Sequence, residues 1–185
     1  MGQRLVTAII KNGEEICTTY HHWSGYTCSG LEIARDFINV LDDDTITDPA
    51  FELLKYLESQ GGGVKGGADS KEMEYMEDKY PFYHFKQNPN RNEGLFACSP
   101  KEMEDLHNWS EGDVIIDLTN RTVQCWLWWC EDEREDSNIE PVHMGINPEE
   151  FSFDDIDAVL ESAERAYDNR GFEVEYNGTI YSMIA

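Results

Sequence analysis

Arg4 to Ile10 alternates and is rich in β-forming residues, and Ile16 to Trp23 follows it across Asn12-Gly13. An Asn-Gly pair between two such runs predicts a hairpin, because both residues tolerate the positive φ of a type I′ turn. The same logic predicts two more hairpins. One joins Asp113–Leu118 to Thr122–Trp129 around Thr119-Asn120-Arg121, and the other joins Phe172–Tyr176 to Thr179–Ile184 around Asn177-Gly178. Along the strand from Thr122, Val123, Cys125, Leu127 and Trp129 share one face, while Gln124, Trp126 and Trp128 share the other. Gly94 to Cys98 reads as a short strand.

Elsewhere the apolar residues recur at helical spacing. Ser29-Gly30-Leu31-Glu32 has the form of a capping box and opens a helix carrying Leu31, Ala34, Ile38 and Leu41, which Asp42-Asp43-Asp44 ends. Asp48 caps a second helix with Pro49 at its first position and Phe51, Leu54 and Leu57 on its apolar face. Ser70 caps a short helix holding Met73 and Met76. Ser99-Pro100-Lys101-Glu102 is a second capping box, predicting a helix through about Trp109. The strongest stripe is Ile156, Val159, Leu160, Ala163 and Tyr167, in a helix that begins at Ser152 and closes at Gly171. Tyr80 to Phe85 is aromatic and fits either a strand or a packed loop. Hairpins interleaved with capped amphipathic helices predict an α+β fold with a mostly antiparallel sheet. One domain over residues 1–185 is expected, with a flexible glycine-rich insertion over residues 61–70.

Charge changes the picture. The chain holds 38 Asp and Glu against 14 Lys and Arg, a net charge of −24. Self-repulsion on that scale destabilises a compact body. With 12% aromatic residues this is no disordered acidic tail, so the charge sits on a folded surface. Residues 131–185 hold 16 of the acids and 3 of the bases. Asp154, Asp157, Glu161, Glu164 and Asp168 advance by threes and fours, which puts them in one row along the last long helix. Duplex DNA carries one negative charge per ~1.7 Å of axis, so a row of helical acids approaches phosphate spacing. Glu131, Asp132, Glu133, Glu135 and Asp136 form a second acidic run. Trp126 and Trp128, on the strand just before that run, are candidate apolar anchors for a protein partner. The plain alternative for the acidic row is an ordinary solvated helix face.

Other chemistry finds little footing. No apolar stretch reaches the ~18 residues of a membrane helix, and Arg4, Lys11 and Glu14 interrupt any secretory h-region. The five cysteines, Cys17, Cys28, Cys98, Cys125 and Cys130, form no metal-ligand or disulfide spacing. A cytoplasmic protein without metal or cofactor is expected. Gly61-Gly62-Gly63-Val64-Lys65-Gly66-Gly67 fails as a phosphate-binding loop, because a helix precedes it and Lys65 lies between the glycines. The aromatics lack the basic groove that nucleic-acid stacking platforms require. Cys17 and Cys28 flank His21 and His22, which leaves a cysteine–histidine hydrolase as an alternative. An antiparallel hairpin followed by a helix also suggests an N-terminal-nucleophile-like sandwich, although Gly2 would supply no nucleophile.

Two blocks of residues resemble small acidic proteins of bacteriophages and prophages. One runs from Gly2-Gln3-Arg4-Leu5 through His22-Trp23-Ser24-Gly25-Tyr26-Thr27 to Leu31-Glu32. The other comprises Asn90-Arg91-Asn92-Glu93-Gly94-Leu95, Trp109-Ser110-Glu111-Gly112 and Val114-Ile115-Ile116-Asp117-Leu118. Many small acidic phage proteins are anti-CRISPR or anti-restriction inhibitors that work by nucleic-acid mimicry, so the resemblance implies a host-defence inhibitor that binds a basic groove as a nucleic-acid mimic in the bacterial cytoplasm. The expected partner is a basic nucleic-acid-binding protein, a nuclease or its nucleoprotein complex, met in 1:1 or dimeric assemblies. Neither nucleic acid nor membrane is expected to bind directly, and no catalytic residue comes with the resemblance. A non-catalytic phage structural or assembly protein is the remaining alternative.

Overall fold

The computed structural model describes residues 4–67, 69–88, 94–128, 143–145, 151–168, 173–176 and 179–182. The first hairpin forms as its sequence requires: β1 (Leu5–Lys11) pairs antiparallel with β2 (Glu14–His21). Asn12 and Gly13 take φ values of 55° and 77° at its turn, the left-handed conformation that a type I′ turn needs. The second hairpin, β6 (Gly112–Asp117) with β7 (Thr122–Trp128), is fixed by Asp117. Its carboxylate accepts from the Thr119 and Asn120 amides at 2.8 and 3.0 Å, which closes an Asx-type turn.

The remaining strands complete a mixed sheet. They are β3 (Gly63–Lys65), β4 (Gln87–Asn88), β5 (Leu95–Ala97), β8 (His143–Gly145) and β9 (Phe151–Ser152). The order is β4-β3-β5-β2-β1-β6-β7-β8, with β9 also pairing with β7. A separate two-stranded sheet is made by β10 (Glu173–Tyr176) and β11 (Thr179–Ser182), the third predicted hairpin, whose Asn177-Gly178 turn lies outside the described residues. The α+β class stands, but the mostly antiparallel sheet does not. β1 runs parallel to β6, and β3 runs parallel to both β4 and β5. The hairpins were legible locally, whereas β1 and β6 meet through residues more than a hundred positions apart.

The glycine-rich segment also differs from expectation. Gly63–Lys65 is a strand inside the sheet, with Val64 and Lys65 buried. Its amides are met from afar: Gly63 donates to the Gly94 carbonyl at 3.2 Å and Val64 to the Lys86 carbonyl at 2.8 Å.

Helices cover both faces of the sheet. On one, Leu5, Ile9, Val114, Ile116, Val123, Cys125 and Leu127 pack with α1 (Thr27–Leu41), α2 (Pro49–Ser59) and α5 (Ile156–Asp168). On the other, Val6, Tyr20, Leu95 and Ala97 pack with Leu106 of α4 (Pro100–His107). β1 is buried on both faces, with Leu5 and Ile9 on one and Val6 and Ala8 on the other, so its predicted alternation is not one of buried and exposed residues. Gly30 lets α1 approach β7 closely, since a Cβ there would lie 2.6 Å from the Leu127 side chain. α1 starts at Thr27, two residues before the predicted box, and its N-cap Tyr26 makes no side-chain capping bond. By contrast, the predicted cap of α2 forms, with Asp48 accepting from the Phe51 amide at 3.2 Å. The short helix α3 (Glu72–Lys79) follows Ser70, whose hydroxyl accepts from the Glu72 amide at 3.3 Å. Among the described residues no helix is long and apolar enough to cross a membrane.

Candidate protein-docking surface

The apolar stripe of the last helix decides which side of it meets solvent. Ser152 accepts from the Asp154 amide at 3.2 Å and starts a 3-10 turn over Phe153–Asp155, from which α5 continues. Ile156, Val159, Leu160 and Ala163 are buried, and the helix packs on α1. Asp157, Glu161 and Glu164 are consequently exposed on the outer flank. Asp155 and Asp157 lie in the first turns, where the helix dipole favours negative charge.

The predicted five-residue row is therefore uneven. Asp154 sits in the 3-10 turn and is committed to Arg121, whose guanidinium donates to it at 3.0 Å and also bridges to Asp42. Arg121 holds a φ of 55° at the β6–β7 turn and lies 5.5 Å over the Phe153 ring. It thus clamps the end of α1, the hairpin and the start of α5, and offsets the charge of Asp154. Glu161 has a weak partner in Arg165 at 3.7 Å, with both side chains largely in water. Asp168 lies in the last turn of α5. From Asp157 to Glu164 the acids come about every 5 Å along the axis, given ~1.5 Å per residue. A single DNA strand carries one charge per ~3.4 Å, so the row is more dilute than the phosphate line it would imitate. Glu131, Asp132, Glu133, Glu135 and Asp136 lie outside the described residues.

Both predicted tryptophan anchors lie on β7. Trp126 is half-buried in β7, opposite Asp113 of β6 and Gly145 of β8. Trp128 is the last residue of β7, opposite His143. Among the described residues the exposed large apolar side chains are instead Trp23, Tyr75 and Phe82. Trp23 sits at a φ of 64° in the turn from β2 into α1, edge-on to His22 at 5.0 Å. Phe82 is completely exposed. A proline-led turn after an acidic helix was the available signal for Phe82.

Cys17 does not meet the imidazoles of β2. Cys17 and His21 share a face of β2 but stand four residues apart, about 13 Å along the strand. His22 faces the other way, with its Nδ1 2.9 Å from the Tyr20 hydroxyl. Burial pushes the Cys17 thiol well up, and pushes Cys98 and Cys125 up to about 12. A nucleophilic cysteine needs the opposite shift. Burial also lowers His21 to about 4, so its imidazole is neutral at pH 7. Cys130 lies outside the described residues. No group of three or more potential metal ligands occurs among the described residues.

The buried charges serve architecture. Lys65 of β3 bonds to Glu102 of α4, reaches Asp105 at 3.3 Å and lies 5.0 Å over Trp109. Glu72, fully buried, accepts from the Cys98 and Ser99 amides at 2.6 and 3.1 Å. Glu58 accepts from the Tyr83 hydroxyl at 2.8 Å and the Lys86 amide at 2.6 Å. Glu58 and Glu72 each hold a loop onto the body, and Glu102 ties α4 to β3. Comparison with protein-family models, with curated proteins and with solved structures finds no match to this chain.

Proposed function

We propose that the chain is an acidic, phage-type inhibitor that docks on the basic nucleic-acid-binding groove of a host defence enzyme, such as a CRISPR effector nuclease or a restriction enzyme. One observation carries it: Asp157, Glu161 and Glu164 stand exposed on the flank of a helix whose opposite side is locked onto α1. A fixed row of like charges costs helix stability, and that buried stripe offsets the cost. On a protein of net charge −24 such a row steers a cationic cleft toward it, raising the rate of encounter. Occupying the cleft then excludes the nucleic acid without any turnover. The dilution of the row relative to phosphate fits an inhibitor that competes for the groove rather than one that copies the duplex charge by charge.

The test is competition. Purified CRISPR effectors and restriction enzymes are presented with labelled DNA and increasing amounts of the chain, as wild type or with Asp157, Glu161 and Glu164 replaced by Lys. Displacement of DNA by the wild type and not by the variant supports the proposal. Equal displacement by both, or none by either across the panel, counts against it.

A further inference from the structure

We infer that Cys17 and Cys98 are a latent cross-strand disulfide, a modification site that closes in the folded chain under a low-molecular-weight disulfide oxidant and staples β2 to the segment entering α4. The strand register carries it. β2 and β5 run antiparallel, with Tyr20 opposite Leu95, Thr19 opposite Phe96 and Thr18 opposite Ala97. The next step of that ladder sets Cys17 opposite Cys98, on the face that Thr19 and Phe96 share. Both thiols are free and buried in the same apolar core. Cys98 gives its amide to the Glu72 carboxylate at 2.6 Å, so it does not exchange amide bonds with Cys17. Directly opposed residues of that kind have Cα atoms about 4.5 Å apart, within the about 4.4–6.8 Å that a disulfide spans. Both side chains leave the same side of the sheet, so neither strand has to turn over to join them. The register favours this pair over the alternatives. Cys125 of β7 is three strands from Cys17, across β1 and β6, or about 14 Å. Cys28 belongs to α1, outside the sheet.

α3 decides when the pair can react. Met76 covers Cys98, with its Sδ 3.0 Å from the Cys98 Sγ, and the Lys79 ammonium lies 3.9 Å from that sulfur. While α3 is seated, burial holds both thiols protonated and therefore inert. α3 has eight residues, of which only Glu72 and Met76 are buried, so it opens at lower cost than the sheet beneath it. Lifting it uncovers Cys98 first. The Cys98 thiolate then attacks one sulfur of oxidised glutathione. That S–S bond breaks, one glutathione thiol leaves, and Cys98 carries a mixed disulfide. The Cys17 thiolate attacks the Cys98 sulfur and expels the second glutathione. Two electrons pass from the protein sulfurs to the oxidant, and the two protein protons end on the two glutathione thiols. The inference stands apart from the α5 acids.

The experiment treats the full chain with glutathione buffers of increasing oxidised share, once as the native protein and once during refolding from urea. Free thiols are then alkylated and the peptides mapped by mass spectrometry without reduction. The expected result is a Cys17–Cys98 peptide pair in both arms, formed faster in the native arm when Glu72→Gln loosens α3. The closed form should melt roughly 10 °C or more above the reduced one, because the disulfide shortens a long loop of the unfolded chain. Cys17→Ala and Cys98→Ala should each abolish that shift. Refolded protein whose Cys17 and Cys98 are both alkylated, or left as mixed disulfides with glutathione, in the most oxidising buffer overturns the inference. So does a preferred link to another cysteine, or a closed form that melts below the reduced one. A link that forms on refolding but never in the native chain overturns it as well, since the folded protein would then not take the modification.

Discussion

Replacing Lys65 by Met removes the cation from the most enclosed ion pair of the described residues. The Lys65 and Glu102 side chains are 6% and 4% exposed, so Lys65→Met strands a carboxylate where water cannot reach it. What remains for Glu102 is the Lys71 amide at 3.1 Å, because Asp105 is itself an acid. Breaking a buried pair from one side costs about 3–5 kcal/mol. In a chain of this size a kilocalorie shifts the melting temperature by roughly 2–4 °C, so the loss should be roughly 6–20 °C. Adding Glu102→Gln removes the stranded charge but keeps an oxygen for the Lys71 amide, and should restore most of the loss. Urea unfolding of the three proteins at pH 7 measures this. If Lys65→Met costs under about 1 kcal/mol, or the double variant is weaker than the single, the pair does not fasten β3 to α4 as described.

Thr7 and Thr19 sit directly opposite each other on β1 and β2, fully buried, with hydroxyls that have no hydrogen-bond partner. Valine at each position should raise stability by about 1 kcal/mol in urea melts, since it removes an unsatisfied group at constant shape. Loss of stability would mean that the hydroxyls are satisfied. The third prediction concerns His107, which lies 2.8 Å from Glu15. The bond it makes to Glu15 raises His107 above its ordinary value against the effect of burial, with Asp113 adding to the rise. Burial pushes Glu15 up, but the bonds from His107 and Thr18 outweigh it and hold Glu15 low. His107 therefore contributes stability that is complete below about pH 6.5 and is lost as pH rises through its raised folded value. Glu15 contributes above about pH 4.5 and loses its share as pH falls through its lowered value. His107→Gln should flatten the decline in stability above pH 6.5, and an NMR titration of wild-type His107 should show a midpoint above the ordinary one. A midpoint below it would contradict the pair.

What the sequence made legible was whatever is decided within a few residues. Asn12-Gly13 turned as its backbone preferences require, Asp48 capped α2, and the stripe from Ile156 to Ala163 was buried. What it hid was decided at a distance. Gly63–Lys65 looks like a linker by composition and becomes a strand because residues 86–88 and 94–96 receive it. Ser99 and Glu102 have capping-box spacing and do mark the start of α4. Yet the Ser99 hydroxyl bonds to Glu72 and the Glu102 carboxylate to Lys65, so the side chains serve tertiary contacts instead. The same limit applies to the docking surface. Periodicity put Asp157, Glu161 and Glu164 on the outer flank of α5. No local rule showed that Asp154 would be claimed by Arg121 or that Trp126 would be half-buried while Phe82 stood clear.

The most direct measurement is the affinity of the chain for a purified basic nuclease complex as salt rises from about 0.1 M to about 1 M, where the screening length shrinks from ~10 to ~3 Å. Docking through the α5 acids predicts a steep loss of binding for the wild type. It also predicts weaker binding with a shallower salt dependence once Asp157, Glu161 and Glu164 are lysines. A wild-type affinity that holds constant across that range, or a lysine variant that binds equally well, would contradict it.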